Sequence, residues 1–297
     1  MIRLGVIGMS DGNGHPYSWS AICNGYSPVH MKACGFPVIP EYLSQQTWPE
    51  ARLSDVEVSH VWTQDLAISN KIARAALIPN VVKMPEEMIG EVDGLLLARD
   101  DAENHLKTVA PFLKAALPVF IDKPIALNTD TLKAIYDLQE YDGQIFTCSA
   151  LRFAKELQLT PELKKRLGKI KHIEAMTPKS WKKYAVHIIE PVFNMLGKNS
   201  VLKSHLSNGF THDGSSVFVQ FENGVSARFT ALGSEAVAPI SIRVYGDKGW
   251  IDLVFSDAFT AFKTALSNFL DGIKSSCIKS PYAYNKKVVS IIERGII

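Results

Sequence analysis

The sequence predicts an α/β protein in two parts: a doubly wound parallel sheet, then an α+β domain built on a large, mainly antiparallel sheet with helices on one face. Three observations predict it. The first half alternates short apolar runs with stretches of helical periodicity, the signature of βα units. After about Phe153 the segments lengthen and become strand-like. The run Pro118-Val119-Phe120-Ile121 stops abruptly at Asp122-Lys123-Pro124, as a buried parallel strand does at the ligand-binding edge of such a sheet.

In the first part, strands are expected at Arg3–Gly8, Val56–Trp62, Asn80–Val82, Val92–Ala98 and Pro118–Asp122. Helices are expected at His15–Gly25, Leu66–Leu77, Ala102–Ala116 and Thr129–Glu140. Right-handed crossovers then bring the strand ends to one edge. The stretch from Ser27 to Asp55 breaks the rhythm, with Pro28, Pro37, Pro40 and Pro49 and little periodicity. It reads either as a surface excursion or as a flap over a site, since long loops are often functional. In the second part, strands are expected at Ile170–Thr177, Val201–Phe210, Ser216–Glu222, Val225–Leu232 and Ile240–Phe255. Glu222-Asn223-Gly224 is a hairpin signal, because Asn-Gly tolerates the positive φ of a tight turn. Gly246-Asp247-Lys248-Gly249 is a second turn. Helices at Ala258–Ser276 and Tyr284–Arg294 close the chain. The division falls into residues 1–124 and 125–297, with the closing helices able to pack back on the first domain.

Composition narrows the function. At 297 residues the chain can build two cores. A hydrophobic share of 46% against 21% charged residues is that of a soluble globular protein. A net charge of +2, with no basic run interleaved with aromatics, argues against a nucleic-acid partner. Lys164-Lys165-Arg166 reads as helix surface. No apolar stretch reaches membrane-spanning length. Cys23, Cys34, Cys148 and Cys277 form no Cys-x-x-Cys pair, so neither a metal site nor a disulfide framework is expected. The chain enters its first strand without a charged leader, which points to the cytoplasm.

Lys123, fixed between an acid and a proline at a strand end, reads as a site residue rather than a solvated charge. Around it the chain resembles the glucose-fructose oxidoreductase, inositol dehydrogenase and MocA family of NAD(P)-dependent oxidoreductases over nearly its whole length. Asp122-Lys123-Pro124 stands where the family has Glu-Lys-Pro, and His105 matches a histidine in the preceding helix. Arg152-Phe153 matches a pair at the domain junction, and His187 with Glu190 opens a second-domain helix. The resemblance implies a Rossmann domain joined to an open-faced sheet. It implies NAD or NADP as cofactor and hydride transfer to or from a hydroxyl or carbonyl of a sugar, polyol or nucleotide-sugar. It places Lys123 beside the nicotinamide, where it lowers the effective pKa of the reacting hydroxyl, and gives the proton to His187 or a neighbour, Tyr184 being one. Asp122 bonds around the cofactor or orients Lys123, and Pro124 allows a cis peptide that aims the lysine. His105 joins the cofactor site, while Arg152, Trp181 and Lys183 face the small-molecule substrate. The family's habit of pairing such sheets, with Phe218 alternating among Val217, Val219 and Phe221, predicts a homodimer or homotetramer.

Four departures stand beside the likeness. The family's Gly-x-Gly-x-x-Gly becomes Gly8-Met9-Ser10-Asp11-Gly12-Asn13-Gly14-His15-Pro16. Gly8, Ser10, Gly12 and Gly14 are still expected to bring backbone amides to a phosphate ahead of a helix start. Thr63 stands where an acid would hold the ribose hydroxyls, which leaves NAD against NADP open. Arg99-Asp100-Asp101 replaces the usual Thr-Pro, either as a capped helix start or to set Arg99 against phosphate or substrate. Lys183 occupies the place, four residues before His187, of an acid that would orient the histidine. These departures motivate a second reading: a catalytically impaired sensor that binds a dinucleotide or sugar.

Overall fold

The computed structural model describes residues 1–197, 201–209 and 212–296. In chain order the elements are β1 (Ile2–Ile7), α1 (His15–Asn24), α2 (Pro28–Lys32), α3 (Val38–Ser44), β2 (Val56–Trp62), α4 (Leu66–Ala75), β3 (Asn80–Val81), β4 (Gly94–Leu97), α5 (His105–Lys114), β5 (Val119–Ile121), α6 (Thr129–Tyr136) and β6 (Ile145–Phe146). There follow α7 (Pro161–Leu167), β7 (Ile170–Thr177), α8 (Trp181–Tyr184), α9 (Val186–Leu196), β8 (Leu202–Gly209), β9 (Ser215–Phe221), β10 (Ser226–Ala231), β11 (Ser241–Gly246), β12 (Trp250–Val254), α10 (Ala258–Ser275) and α11 (Tyr282–Arg294). They fall into two compact units. One comprises Met1–Ile125, Lys133–Thr147 and Phe262–Pro281; the other comprises Ala126–Leu132, Cys148–Ala261 and Tyr282–Ile297.

The first unit holds six parallel strands in the order β3-β2-β1-β4-β5-β6. This is the Rossmann order, and it makes β1 and β4 neighbours at the point where the winding reverses. Leu4, Val6 and Ile7 of β1, Leu95, Leu96 and Leu97 of β4 and Ile121 of β5 are fully buried. Such continuous apolar runs belong to strands covered on both faces. Trp19 of α1 stacks on Phe120 of β5 at 4.7 Å, and Phe120 meets Phe146 of β6 edge-on at 4.8 Å. The ladder continues one residue past each strand: Gly8 bonds to Trp62, Ala98 to Ile7 and Asp122 to Leu97. The residues that follow these strands are thereby set side by side.

The stretch from Ser27 to Asp55 is not a structureless excursion. It forms α2 and α3 and buries Met31, Ile39 and Leu43. Its prolines misled the periodicity reading. Pro28 opens α2, and Pro37 and Pro40 sit at the start of α3, where a helix needs no amide donor.

The second unit holds a six-stranded sheet in the order β12-β11-β7-β10-β9-β8, antiparallel except between β10 and β7. The strand-like segment Ile240–Phe255 forms β11 and β12, turned at Gly246–Gly249 as its glycines indicate. Asn223-Gly224 turns β9 into β10, with Gly224 at φ +83°. Phe210, the end of one expected strand, lies outside the described residues. Alternation sorts the two faces. Ile173, Ala175, Val217, Val219, Ala227, Phe229, Ile242 and Val244 are buried together, and α9 packs on this side against β7. The other face is mixed. Phe218, Met176, Tyr245 and Trp250 alternate with Glu174, Arg228, Arg243 and Asp252. Among the described residues no helix is long and apolar enough to cross a membrane.

Candidate functional site

The carboxyl edge of the parallel sheet gathers charge. Asp122, directly after β5, has no exposed surface. Its carboxylate accepts from Asn13 Nδ2 at 2.8 Å, from the Lys123 amide at 2.7 Å, and lies 2.6 Å from His15 Nδ1. His15 is itself stacked on Trp19 at 4.7 Å. Asp100, after β4, exchanges two bonds with Ser10, after β1: the Ser10 hydroxyl donates to Oδ1 at 2.7 Å and the Asp100 amide donates to Ser10 Oγ at 3.0 Å. Lys123 Nζ lies 3.7 Å from Asp100 Oδ2. Lys123 is only 5% exposed, so a carboxylate beside its ammonium is what burial of a charge requires. The Lys123–Pro124 peptide is cis.

The loop between β1 and α1 offers its backbone to a dinucleotide phosphate at three amides. The amides of Ser10, Gly12 and Gly14 have no acceptor among the described residues. Gly12 has φ +74° and open space where a Cβ would stand. A close-approaching anion fits there. Gly14 is glycine for another reason: a Cβ would strike Ile39 and Phe36. Gly8 is similarly closed by Pro16. The His15 amide is already taken by Asn13 Oδ1 and Pro16 has none, so neither of these first helical residues offers a free amide.

Several expected cofactor residues are committed to protein partners instead. Thr63 is buried, and its hydroxyl donates to the Asp65 carbonyl at 2.6 Å and meets Ser69 Oγ at 2.8 Å, bracing the start of α4. His105 is wholly buried, with Nδ1 3.0 Å from the Ile125 carbonyl and Nε2 2.8 Å from the Arg99 carbonyl. Both nitrogens being taken, it ties the loop after β5 to the loop after β4 and has none left for a cofactor. Arg99 is held in a two-pronged pair with Asp101 at 2.9 and 2.6 Å, with Nη1 3.2 Å from Gln64 Oε1. Gln64 in turn grips both backbone groups of Met9. Burial raises the Asp101 carboxyl, and the bonds from Arg99 and Asn104 outweigh this, leaving it below the ordinary carboxylate range.

In the second unit a separate cluster surrounds His187, near the start of α9. His187 Nδ1 lies 2.8 Å from Ser149 Oγ. The Ser149 amide donates to Glu190 Oε2 at 3.0 Å, and Arg152 Nε lies 3.6 Å from the same oxygen. His187 and Glu190 share one helix face at i and i+3, so a single turn, Ser149 to Arg152, can meet both. Burial raises the Glu190 carboxyl to about 7, against the opposing pull of Arg152 and the Ser149 amide. Arg152 is buried, with Phe153 and Tyr284 rings at 5.1 and 5.2 Å from its guanidinium. Arg152, expected at the substrate, lies here against Glu190 and two rings. Trp181, expected there too, is 2% exposed, donates to the Ile292 carbonyl at 2.8 Å, and fills the space a Cβ on Gly295 would need. Tyr184 meets His187 edge-on at 5.1 Å and receives Lys179 over its ring at 5.0 Å. Lys183 is half-buried on α8.

Sequence reasoning missed Asn13, His15, Gln64 and Ser149. Asn13 and His15 lay inside a loop judged only by its glycines. Ser149 carried no signal beyond being a good cap residue ahead of Arg152-Phe153.

The first unit has the Rossmann strand order with a lysine at its carboxyl edge, and the second is built on a mainly antiparallel sheet. Residues 40–149 match the model of a family described as "Oxidoreductase family, NAD-binding Rossmann fold", and the resemblance read from the sequence stands. The match begins beyond the divergent glycine loop. No curated protein sequence matches the chain. Solved structures share the fold at low identity. Scyllo-inositol dehydrogenase from Lactobacillus casei is 12% identical with a TM-score of 0.71, covering 99% of this chain and 94% of that one. UDP-N-acetylglucosamine 3-dehydrogenase from Acidithiobacillus ferrooxidans is 12% identical with a TM-score of 0.68, covering 98% and 95%. Biliverdin reductase from Synechocystis, solved with biliverdin and NADP+, is 12% identical with a TM-score of 0.70, covering 98% and 97%.

Proposed function

We propose that this protein is an NAD(P)-dependent oxidoreductase acting on a hydroxyl or carbonyl of a carbohydrate: a sugar, a polyol or a nucleotide-sugar. The observation that carries the reading is the buried Lys123 ammonium at the end of β5, braced by Asp100. A fixed cation there favours developing alkoxide over its protonated form. Bound NAD or NADP supplies the hydride acceptor or donor. The amides of Ser10, Gly12 and Gly14 hold its phosphates. Lys123 hydrogen-bonds the reacting oxygen, with Asp100 keeping the amine in place and Asp122 fixing the backbone at Lys123. The resemblance assigns the proton to His187 or Tyr184 and gives Lys183 an anionic group where the substrate has one. The kinship in fold with inositol and UDP-N-acetylglucosamine dehydrogenases supports the carbohydrate class. The outward face of the second sheet, with Met176 and Trp250 exposed, supports assembly into a dimer or tetramer.

The test mixes the protein with NADH or NADPH and a panel of keto-sugars and follows the absorbance of the reduced cofactor. Turnover of at least one panel member is the expected result. Tight nucleotide binding with no turnover of any would turn the reading towards a sensor. Light scattering at micromolar concentration should show more than a monomer, and a monomer alone would remove the assembly.

A further inference from the structure

We infer that His15 is a proton-carrying cofactor residue: Asp122 holds its Nδ1–H, and Nε2 takes up a second proton when a dinucleotide binds at the loop before it. Asn13 fixes the sense of these bonds. Its Oδ1 accepts the His15 amide at 2.8 Å, so its Nδ2 is the atom turned to Asp122, donating to Oδ2 at 2.8 Å. Asp122 Oδ1 is taken by the Lys123 amide at 2.7 Å. Both carboxylate oxygens therefore accept. The proton between Oδ2 and His15 Nδ1, 2.6 Å apart, sits on the stronger base, the imidazole. Neutral His15 is thus protonated on Nδ1, and Nε2 carries the lone pair. Nε2 has no partner among the described residues. The ring is stacked on Trp19 at 4.7 Å and met edge-on by Phe262 at 5.1 Å, and 15% of the side chain reaches solvent.

Charge balance calls for the second proton. α1 carries no acidic or basic residue besides His15. The charged groups on the elements packed around the ring are Asp122 and Lys123 after β5, Asp11 in the loop, and Lys263 next to Phe262 on α10. Lys123 already faces Asp100. Phosphates on the amides of Gly12 and Gly14 bring further negative charge to the residues directly before His15. An imidazolium offsets that charge. It also donates from Nε2 at a helix start where the His15 amide is spent on Asn13 and Pro16 has none. Asp122, wholly buried and aimed at Nδ1, keeps the cation in place. The uptake of a proton on binding rests on the oxidoreductase reading; the place of the Nδ1 proton does not.

Nitrogen NMR on protein labelled with 15N-histidine tests the pair, with His15→Gln, or His15→Asn should the first fail to fold, to assign the signals. In the unliganded wild type, neutral His15 should show a protonated Nδ1 and a bare Nε2. At a pH where that neutral form predominates, adding NADH or NADPH should move Nε2 to its protonated shift. Calorimetry of the same titration in two buffers of different ionisation enthalpy should count about one proton taken up. Above the pH at which unliganded His15 titrates, Kd should rise about tenfold per pH unit until the bound form titrates too. Below that pH His15→Gln should bind about tenfold more weakly, and it should lose the proton uptake. A bare Nδ1 in the neutral wild type overturns the inference. So does bound nucleotide with no proton taken up, or uptake undiminished in His15→Gln, and either leaves the oxidoreductase reading standing. Proton uptake without turnover of any keto-sugar turns that reading towards a sensor and leaves His15 as assigned. Failure of both nucleotides to bind overturns the two together.

Discussion

The cluster at the carboxyl edge of the parallel sheet and the cluster around His187 are built by different rules. In the first, Ser10, Asp100, Asp122 and Lys123 each follow a strand, and the strands are neighbours in the sheet. Hydrogen bonding between β1, β4 and β5 sets their separation before any side chain chooses a partner. In the second, two residues of one helix close on a short turn, and the helix face does the selecting. The first cluster meets each charge with an aimed partner: the Lys123 ammonium with a carboxylate, the Asp122 carboxylate with three donors. The second holds a neutral bond, Ser149 to His187, beside a carboxyl that burial has pushed up to about 7. A rigid sheet edge can carry full charge because every donor is already aimed. A helix meeting a turn satisfies its polar groups with fewer charges, and their protonation becomes the adjustable element.

The sharpest way to break this contrast is Lys123→Ala. It should lower kcat by roughly a thousandfold, the scale of losing a fixed donor to a developing oxyanion, with nucleotide affinity little changed. Full activity in the variant would show that the sheet-edge charge has no part in the chemistry. Next in size is Asp122→Ala. Asn13, His15 and the Lys123 amide would lose one buried acceptor together, at a cost of about 3 kcal/mol in urea unfolding. Asp122→Asn, which keeps one acceptor oxygen, should fall between. If both variants unfold at the wild-type midpoint, the three bonds do not hold the edge together.

Much of the first cluster was legible in the sequence, and the reason is topological. Alternating strand and helix patterns force the residues after each strand to one edge, so Asp122 and Lys123 could be placed without knowing any contact. What the pattern could not supply was pairing across the edge. Asp100 reads equally well as a helix cap, and only the strand order puts it beside Ser10 and Lys123. Thr63 and His105 show the same limit: each lies at that edge, and only the structure shows its polar atoms bonded to protein partners. Asn13 and His15 reach Asp122 across more than a hundred positions of chain, a closure no local rule contains. In the second unit, Arg152, His187 and Glu190 were visible as a motif. Ser149 was not, because a serine at a turn is ordinary and its partner lies on another element.

The smallest effect bears on whether the second cluster is as neutral as it looks. Burial sets the Glu190 carboxyl at about 7 in the folded protein, against an ordinary value of 4.5. A carboxyl raised on folding binds its proton more tightly in the native state than in the unfolded chain. Its contribution to stability is therefore complete below about pH 4.5 and is lost as pH climbs to about 7. Above that the loss is constant. Glu190→Gln removes the titration while keeping an oxygen for the Ser149 amide. The wild-type urea midpoint should accordingly fall relative to Glu190→Gln between pH 4.5 and 7, and the two should run level above it. Parallel curves through the whole window would mean that Glu190 is ionised in the fold. Arg152 would then face a full charge, and the second cluster would hold its polar groups by the same rule as the first.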